Sequence, residues 1–283
     1  MKKHRLLRRV LPLILMAGTA NALAAGTPDP GDYVPAPPGA TIVALYGQHF
    51  RGDKVYDGGS RVADDLGFKL DIGLARVMHY FELGGMPADF EVILPYARQR
   101  IDADDYRESG VGNLILGMTL WPKSDEASGR HLGLAAYLSL PTGQKRDDGL
   151  AVSEDRYALD IETGYILPLG GAWSLDLIGQ VEFYGQDRTT KVKRKPMVRG
   201  FAHLSYHLSD ATRLAFSVRQ TWGMRESYHG DTVVGAHNDT NLMLTWQHQL
   251  TENAQVQVQY TRDVDVRSGL KMDGLQTRLA FFF

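Results

Sequence analysis

Four residues of one segment are of the types that hydrolases use to cleave acyl bonds, namely Ser227, His229, His237 and Asn238. A serine nucleophile, a histidine base and a residue that orients the base would together catalyse such a reaction. Their spacing matches no nucleophile motif, and the sequence G-x-S-x-G is absent. Solvated polar residues of a loop are the favoured explanation of the segment, so we predict no catalytic residue and keep a lipid-modifying enzyme as an alternative.

A second group of candidate residues is His203, Ser205 and His207. Residues two apart share a face of a strand but stand about 7 Å apart, too far for a direct hydrogen bond between nucleophile and base. The chain contains no cysteine, which excludes disulfides and thiolate ligands. It also has no H-E-x-x-H, EF-hand or glycine-rich phosphate motif. We therefore predict no metal and no cofactor.

The charge of the chain favours no nucleic-acid partner, because the formal net charge is only -2. One basic run, Lys191 to Lys195, has the sequence KVKRK. Such a run is compatible with binding to lipopolysaccharide phosphates, but a solvated loop is the commoner explanation. Outer-membrane lipid and lipopolysaccharide are the expected surroundings if the chain crosses that membrane.

The segments that carry these side chains alternate between apolar and polar residues, the pattern of β-strands. Ala254, Val256, Val258 and Tyr260 share one face of a strand, and the glutamines between them share the other. The same two-faced pattern recurs along most of the chain, separated by Gly, Pro, Asn, Asp and Ser turns. It predicts strands at residues 41–50, 66–83, 87–100, 110–121, 130–141, 156–168, 172–185, 196–208, 211–223, 238–250, 253–264 and 273–283.

Alternation alone fits a soluble sandwich as well as a membrane barrel. Loop lengths favour the barrel, since short turns follow the even predicted strands and longer polar loops follow the odd ones. Trp121, Trp173 and Trp246 fall at the turn ends of their strands and Trp222 falls at a loop end, as aromatic girdles require. The fold class is therefore all-β, a transmembrane antiparallel up-and-down β-barrel of about twelve strands.

The N-terminus carries a targeting signal and a proline-rich segment. Residues 1–24 combine a basic start, the apolar run VLPLILMAG and an A-x-A site, which predicts a cleaved signal peptide. Residues 25–40 contain closely spaced prolines and form a periplasmic segment, either a partial plug or a loose leader. Residues 41–283 form the outer-membrane barrel.

Polar side chains on the inward phases of these strands would line the lumen. We assign a solute path to Lys69, Asp71, Glu91, Tyr137, Asp160, Glu162, Asp176, Glu182, Arg199, His203, Arg213, Arg219 and Arg278. About twelve strands enclose a narrow interior, so a wide general pore is excluded. Mixed charges in a confined lumen are compatible with a rigid structural network and with a selective path.

Four segments carry a family resemblance: PPGATIVALYGQHFRGDKVYDGG from Pro37, HYFELGGMPADFEVILPY from His79, SGVGNLILGMTLWP from Ser109 and LAAYLSLPTGQ from Leu134. In these segments the chain resembles the outer-membrane transporter family of the phenol-degradation meta-pathway, over nearly all of the sequence after the signal. It departs from that family's pattern at Asn113, where an Asp is usual. The terminal phenylalanine, Phe283, resembles the C-terminal signature that the outer-membrane assembly machinery reads.

The resemblance implies a bacterial outer-membrane channel that passively passes small hydrophobic or aromatic compounds, without enzymatic activity. The implied partners are the solute, membrane lipid and the assembly machinery. Two other classes stay open from the residues alone: a lipid-modifying barrel enzyme, and a structural or adhesive barrel that transports nothing.

Overall fold

The protein is a closed antiparallel β-barrel in a computed structural model that describes residues 27–145 and 152–283. The predicted signal peptide lies outside the described residues. Within them, twelve long strands form the barrel wall. These strands are β1 Thr41–Asp57, β2 Phe68–Leu83, β3 Met86–Ile101, β4 Leu114–Asp125, β5 Arg130–Leu140, β6 Ala158–Gly170, β7 Trp173–Tyr184, β8 Met197–His207, β9 Thr212–Gly223, β10 His237–Thr251, β11 Ala254–Asp265 and β12 Gly269–Phe282.

Each strand pairs with its neighbour in sequence, and β12 pairs with β1 to close the barrel. The closing ladder runs from Ile42 opposite Phe282 to Tyr56 opposite Gly269, with one irregularity between Arg51 and Lys54. Closure pairs the backbone groups of both edge strands, which is what allows a sheet to cross hydrocarbon. The predicted up-and-down barrel is confirmed, as are the twelve predicted strands, although β1 and β12 extend further toward their loops, and β4 further toward its turn, than predicted.

The two ends of the barrel differ in the length of their connections. Residues 84–85, 126–129, 171–172, 208–211 and 252–253 form short turns at one end. Longer loops occupy most of the other end, where Lys193–Arg194, Glu226–Tyr228 and Asp231–Val234 pair into a small separate sheet. Short turns mark the periplasmic end in this class of barrel. None of the helical structure in residues 27–145 and 152–283 is long and apolar enough to span a membrane.

Alternation along the strands separates a lumen face from an outer face. In β11, Gln257 and Gln259 are buried in the lumen, while Tyr260 is 43% exposed on the outside. Trp173, Trp222 and Trp246 also lie on the outer face near strand ends, as the girdle pattern predicted.

Trp121 departs from that pattern and lies inside the barrel, where its side chain is 1% exposed. It follows the alternation of β4, in which Ile115, Gly117 and Thr119 are also buried, and the bulge between Leu120 and Lys123 lies at the end of this run. The indole packs against Tyr80, with ring centroids 5.8 Å apart. The predicted girdle position of Trp121 was wrong because this residue shares the lumen phase of its strand, although it lies near the turn end.

Two of the predicted lumen residues, Lys69 and Asp71, lie on the outer face of β2. The lumen phase of this strand is apolar instead, with Phe68, Leu70 and Ile72 buried. Lys69 Nζ is 3.0 Å from a carboxylate oxygen of Asp102, and Asp71 Oδ1 is 2.6 Å from His49 Nδ1. These outward charges occupy the loop end of the strand. The assignment failed because it assumed a polar lumen in a sector of wall where the lumen is apolar.

Candidate solute path in the barrel lumen

The proline-rich segment enters the lumen, and Tyr33 anchors it there. The Tyr33 hydroxyl donates to Glu162 Oε2 at 2.8 Å, and its backbone oxygen accepts from Trp121 Nε1 at 2.9 Å. The ring lies over Gly133 and Gly164, a cross-strand pair on β5 and β6, and a Cβ atom at either glycine would overlap it. The barrel wall therefore contains a recess shaped for this ring.

Two carboxylates hold the same segment to the opposite wall. Asp29 accepts from Arg278 Nη1 at 2.9 Å and from Gln257 Nε2 at 2.7 Å. Asp32 lies 3.1 Å from Arg76 Nη1 and 3.3 Å from Arg278 Nη1. Asp29 is 1% exposed. Removing one partner of such a buried ion pair is strongly destabilising, since the other charge is left uncompensated.

Between these anchors, Pro30 and Gly31 cross the lumen against β7 and β9. The Gly31 amide donates to Asp176 Oδ2 at 2.7 Å, and Arg213 donates to the Pro30 oxygen and to Gln247. Gly31 has φ +84°, a conformation that favours glycine, and the Arg213 guanidinium occupies the space that a Cβ would need. We define residues 27–40 as the plug segment.

Apolar side chains occupy the lumen in three clusters that follow one another along the barrel. The upper cluster, toward the long loops, contains Val55, Leu66, Phe68, Leu70, Ile72, Ala97, Ile101, Val152 and Leu270. The middle cluster contains Tyr33, Ile93, Ile115, Ala135, Tyr137, Ile166, Ile178, Phe201 and Met243. The lower cluster, at the turn end, contains Ala44, Met78, Tyr80, Trp121 and Ala280.

Single residues connect these clusters. Leu74 packs against both the upper and the middle cluster. Tyr33 of the middle cluster bonds to Trp121 of the lower one. A continuous apolar strip, formed by residues of many strands, therefore runs through the lumen from the loop end to the turn end, and the plug segment contributes to it.

Below the plug segment, a cavity of about 400 Å³ occupies the turn end of the lumen. Its lining combines Val34, Met78 and Phe282 with the guanidinium groups of Arg213 and Arg278. Asp32, Gln247, Gln249 and Gln255 also line it, so polar and apolar side chains share its wall about equally.

A polar network lies beside the middle cluster on β6, β7 and β8, strands that also carry Ile166, Ile178 and Phe201 of that cluster. Gln180 donates to Asp160 and, at 2.6 Å, to Glu162 Oε1. Arg199 Nη2 lies 3.6 Å from Glu182 Oε2. All five side chains are buried, and their mutual pairing offsets part of the cost of removing them from water.

The long loops close over the lumen through a buried ion cluster. Arg194 Nε donates to Glu226 Oε1 at 2.6 Å, and Arg194 Nη1 donates to Glu154 Oε2 at 2.8 Å. Burial opposes ionisation of Arg194, yet the two carboxylates raise its pKa above the usual value. Next to it, burial also opposes ionisation of Asp155, but hydrogen bonds from Lys145, Arg188 and Thr189 lower its pKa to about 2.

The structure places most of the predicted path residues in the lumen: Glu91, Tyr137, Asp160, Glu162, Asp176, Glu182, Arg199, His203, Arg213, Arg219 and Arg278. Glu91 bonds to Arg76 at 2.6 Å, and Arg219 lies 3.6 Å from Asp263. Lys69 and Asp71 are remote from them on the outer face. Arg76 also faces the lumen, but the sequence analysis did not include it in the solute path. It lies two residues from both Leu74 and Met78, so the alternation of the strand places all three side chains on one face.

The residues with hydrolase chemistry are not assembled into a triad. Ser227 lies in the small loop sheet opposite Lys193 and Thr232, whereas His237 bonds to Asp239 at 2.5 Å. In the lumen, His203 Nδ1 is 2.7 Å from Ser217 Oγ, but both residues are fully buried and His203 Nε2 has no partner among the described residues. A serine and a histidine meet there without an orienting acid and without access for substrate.

Comparison with known proteins identifies the family. Residues 52–279 match the family model described as "Putative MetA-pathway of phenol degradation". The chain belongs to this family. No curated protein is significantly similar to the chain.

The fold is that of an outer-membrane channel. A crystal structure of an outer membrane channel from Pseudomonas putida F1 is similar with a TM-score of 0.86 and 29% identity, over 91% of this chain and 100% of that chain. The β-domain of the Bordetella autotransporter BrkA has a TM-score of 0.53 at 11% identity, over 87% of this chain and 100% of its own. The autotransporter likeness concerns the fold alone. The predicted location in the bacterial outer membrane is confirmed.

Asn113 tethers a long loop to the barrel. Its Nδ2 donates to the Glu154 oxygen at 2.9 Å, and its Oδ1 accepts from the Gly143 amide at 3.0 Å. An aspartate carboxylate would accept from Gly143 but could not donate to Glu154. The amide therefore holds both sides of the loop in this protein.

Proposed function

We propose that the protein passes small hydrophobic or aromatic compounds passively across the outer membrane. The observation that carries this proposal is the apolar strip formed by the three lumen clusters. Channels for sugars and ions line their paths with polar side chains, because such solutes must exchange water for hydrogen bonds. An apolar strip instead favours solutes that lose little on leaving water.

The plug segment would act as the gate of this path. Tyr33 belongs to the middle cluster and fills the recess above Gly133 and Gly164. A solute that moves along the strip must displace Tyr33 or pass beside it. The ion pairs of Asp29 and Asp32 with Arg76 and Arg278 would then set how often the gate opens.

A further proposal concerns assembly. Phe283 is 76% exposed at the turn end, next to the start of β1. An exposed terminal aromatic residue there is available to the assembly machinery. Deleting Phe283 should lower the yield of barrel assembled in cells while leaving refolding in detergent unchanged.

The transport proposal is tested by uptake into vesicles that contain lipopolysaccharide, which slows the background leak of phenol and alkane. The panel consists of phenol, a short alkane and a sugar, and the control is the same vesicle without protein. Protein-dependent entry of phenol or alkane, faster than that of the sugar, is expected. Entry of the sugar alone would refute a hydrophobic path.

A pair of variants separates the strip from the rest of the lumen. Leu74→Gln keeps the side-chain volume but places an amide where the upper and middle clusters meet, and it should slow phenol entry. Thr245→Val makes an isosteric polarity change at a buried position outside the three clusters and should not. Equal effects of the two changes would count against the strip as the path.

The other classes of function give different results in the same preparation. Release of fatty acid from lipid, lost on changing Ser227 or His237, would favour a lipid-modifying enzyme. A folded barrel without flux or hydrolysis would favour a structural or adhesive role.

A further inference from the structure

A groove of about 510 Å³ lies on the outer face of the barrel across β6 to β9. Its floor is formed by Gly179, Gly200 and Ala202, and Gly179 and Gly200 lie directly opposite each other in the ladder. Leu177 and Trp222, each 45% exposed, border the groove. Outward side chains elsewhere on these strands are large and apolar, so the small residues leave a depression in a surface that faces lipid.

The groove lies at the depth of the outer leaflet. Trp222 is the second-last residue of β9 at the loop end, where aromatic girdles mark the membrane interface. Gly200 lies five positions after Lys195 of the loop above, which places the floor about 12 Å below that lysine once strand tilt is included. That depth is within one leaflet of hydrocarbon, about 15 Å thick.

Directly above the groove stands a basic loop. Residues 185–196 connect β7 to β8, the two strands that carry Gly179 and Gly200. In this loop Lys191, Lys193 and Lys195 are exposed, while Val192 and Arg194 between them are buried.

The acidic groups near this loop have other partners. Glu154 and Glu226 bond to Arg194, and Asp155 bonds to Arg188. The exposed lysines therefore present positive charge to the outer membrane surface.

From this arrangement we propose a binding site for one lipid A molecule, the membrane anchor of lipopolysaccharide. An acyl chain lies in the groove, and a glucosamine phosphate lies against Lys193 and Lys195. The combination of an acyl-sized groove in the outer leaflet with unmatched positive charge directly above it selects a phosphorylated lipid of that leaflet. The amide of Gln220, bonded to Asn238 and Thr240, adds one polar group to the lining of the groove.

The test compares diphosphoryl and monophosphoryl lipid A, titrated onto the protein in phospholipid nanodiscs and read by native mass spectrometry. Wild-type protein is expected to retain one lipid A and to prefer the diphosphoryl form. Each juxtamembrane lysine contributes about fivefold in affinity, so Lys193→Gln with Lys195→Gln should lower diphosphoryl binding about 25-fold. The preference of the protein for diphosphoryl over monophosphoryl lipid A should also fall in this double variant. Lys54→Gln, at an exposed lysine of β1, is the matched control.

The groove is tested separately by Gly200→Leu, which fills it. A Cβ at Gly200 meets only the Trp222 ring, at 3.8 Å and beyond, so the barrel accommodates the change. Binding of both lipid A forms should fall on the order of fivefold, since packing rather than water exclusion drives association within hydrocarbon. Gly73→Leu is the control, because Gly73 is an exposed glycine of β2 at which an added Cβ would meet no atom within 4 Å.

Folding of every variant is checked by its heat-dependent migration in gels. Unchanged lipid A binding in folded Gly200→Leu and in the double lysine variant would overturn the proposal. Equal displacement of lipid A by phosphatidylglycerol would also overturn it, in favour of a general lipid groove. A dimer that Gly200→Leu dissociates without loss of lipid A would assign the groove to a second copy of this chain.

Discussion

Replacing Tyr33 with alanine should open the lumen, and the size of the effect follows from its contacts. The ring is 4% exposed, and burying a side chain of this size contributes about 1.5–3 kcal/mol. Its hydroxyl bonds to Glu162 at 2.8 Å, and a hydrogen bond to a charged group contributes about 1.5–3 kcal/mol. The anchor is therefore worth about 3–6 kcal/mol, and the lower value corresponds to a shift of more than 100-fold in the plug equilibrium.

The assay is single-channel conductance in planar bilayers. Tyr33→Ala should raise the open fraction by that factor until it saturates, while Tyr33→Phe retains the ring and should raise it about tenfold. Tyr260→Ala, which removes a tyrosine from the outer face, serves as the control. A folded Tyr33→Ala barrel with wild-type conductance would refute the reasoning, since the plug would then not limit passage.

Three other predictions concern the recess and the loops. Gly164→Val should lower the stability of the barrel because its side chain overlaps the Tyr33 ring, and Tyr33→Ala should rescue it in a double-mutant cycle of denaturant unfolding; additive effects would contradict the contact. Asp155 has a lowered pKa of about 2, so its contribution to loop stability is present above its usual pKa near 4 and is lost as pH falls toward 2. In the wild type, hydrogen-exchange protection of residues 185–196 should therefore fall between about pH 4 and pH 2. Asp155→Asn should remove this pH dependence, and a variant with the wild-type pH profile would contradict the prediction. Asn113→Asp should increase hydrogen exchange at residues 152–155 by about fivefold, because the Glu154 oxygen loses its hydrogen-bond donor. Equal protection in the wild type and the variant would contradict the tether.

The sequence alone determined the barrel and most of its two faces. A strict period of two over segments of about ten residues, with short and long connections in turn, leaves few architectures, because a membrane requires a closed sheet. Val256 and Val258 on the outside and Gln257 and Gln259 inside follow directly from that period.

The tertiary structure decided how the lumen is filled, and there the sequence was insufficient. Alternation separates two faces but does not say which face is the lumen, and in β2 the apolar face of Phe68 and Leu70 turns inward. Trp121 likewise turns inward, because it shares the phase of Ile115 and Thr119, a phase that alternation alone assigns to neither lumen nor lipid. The recess for Tyr33 is formed by Gly133 and Gly164, both of which are far from the plug segment along the chain. Closure of the barrel alone brings these residues together, so the plug and the apolar strip exist only in the folded protein.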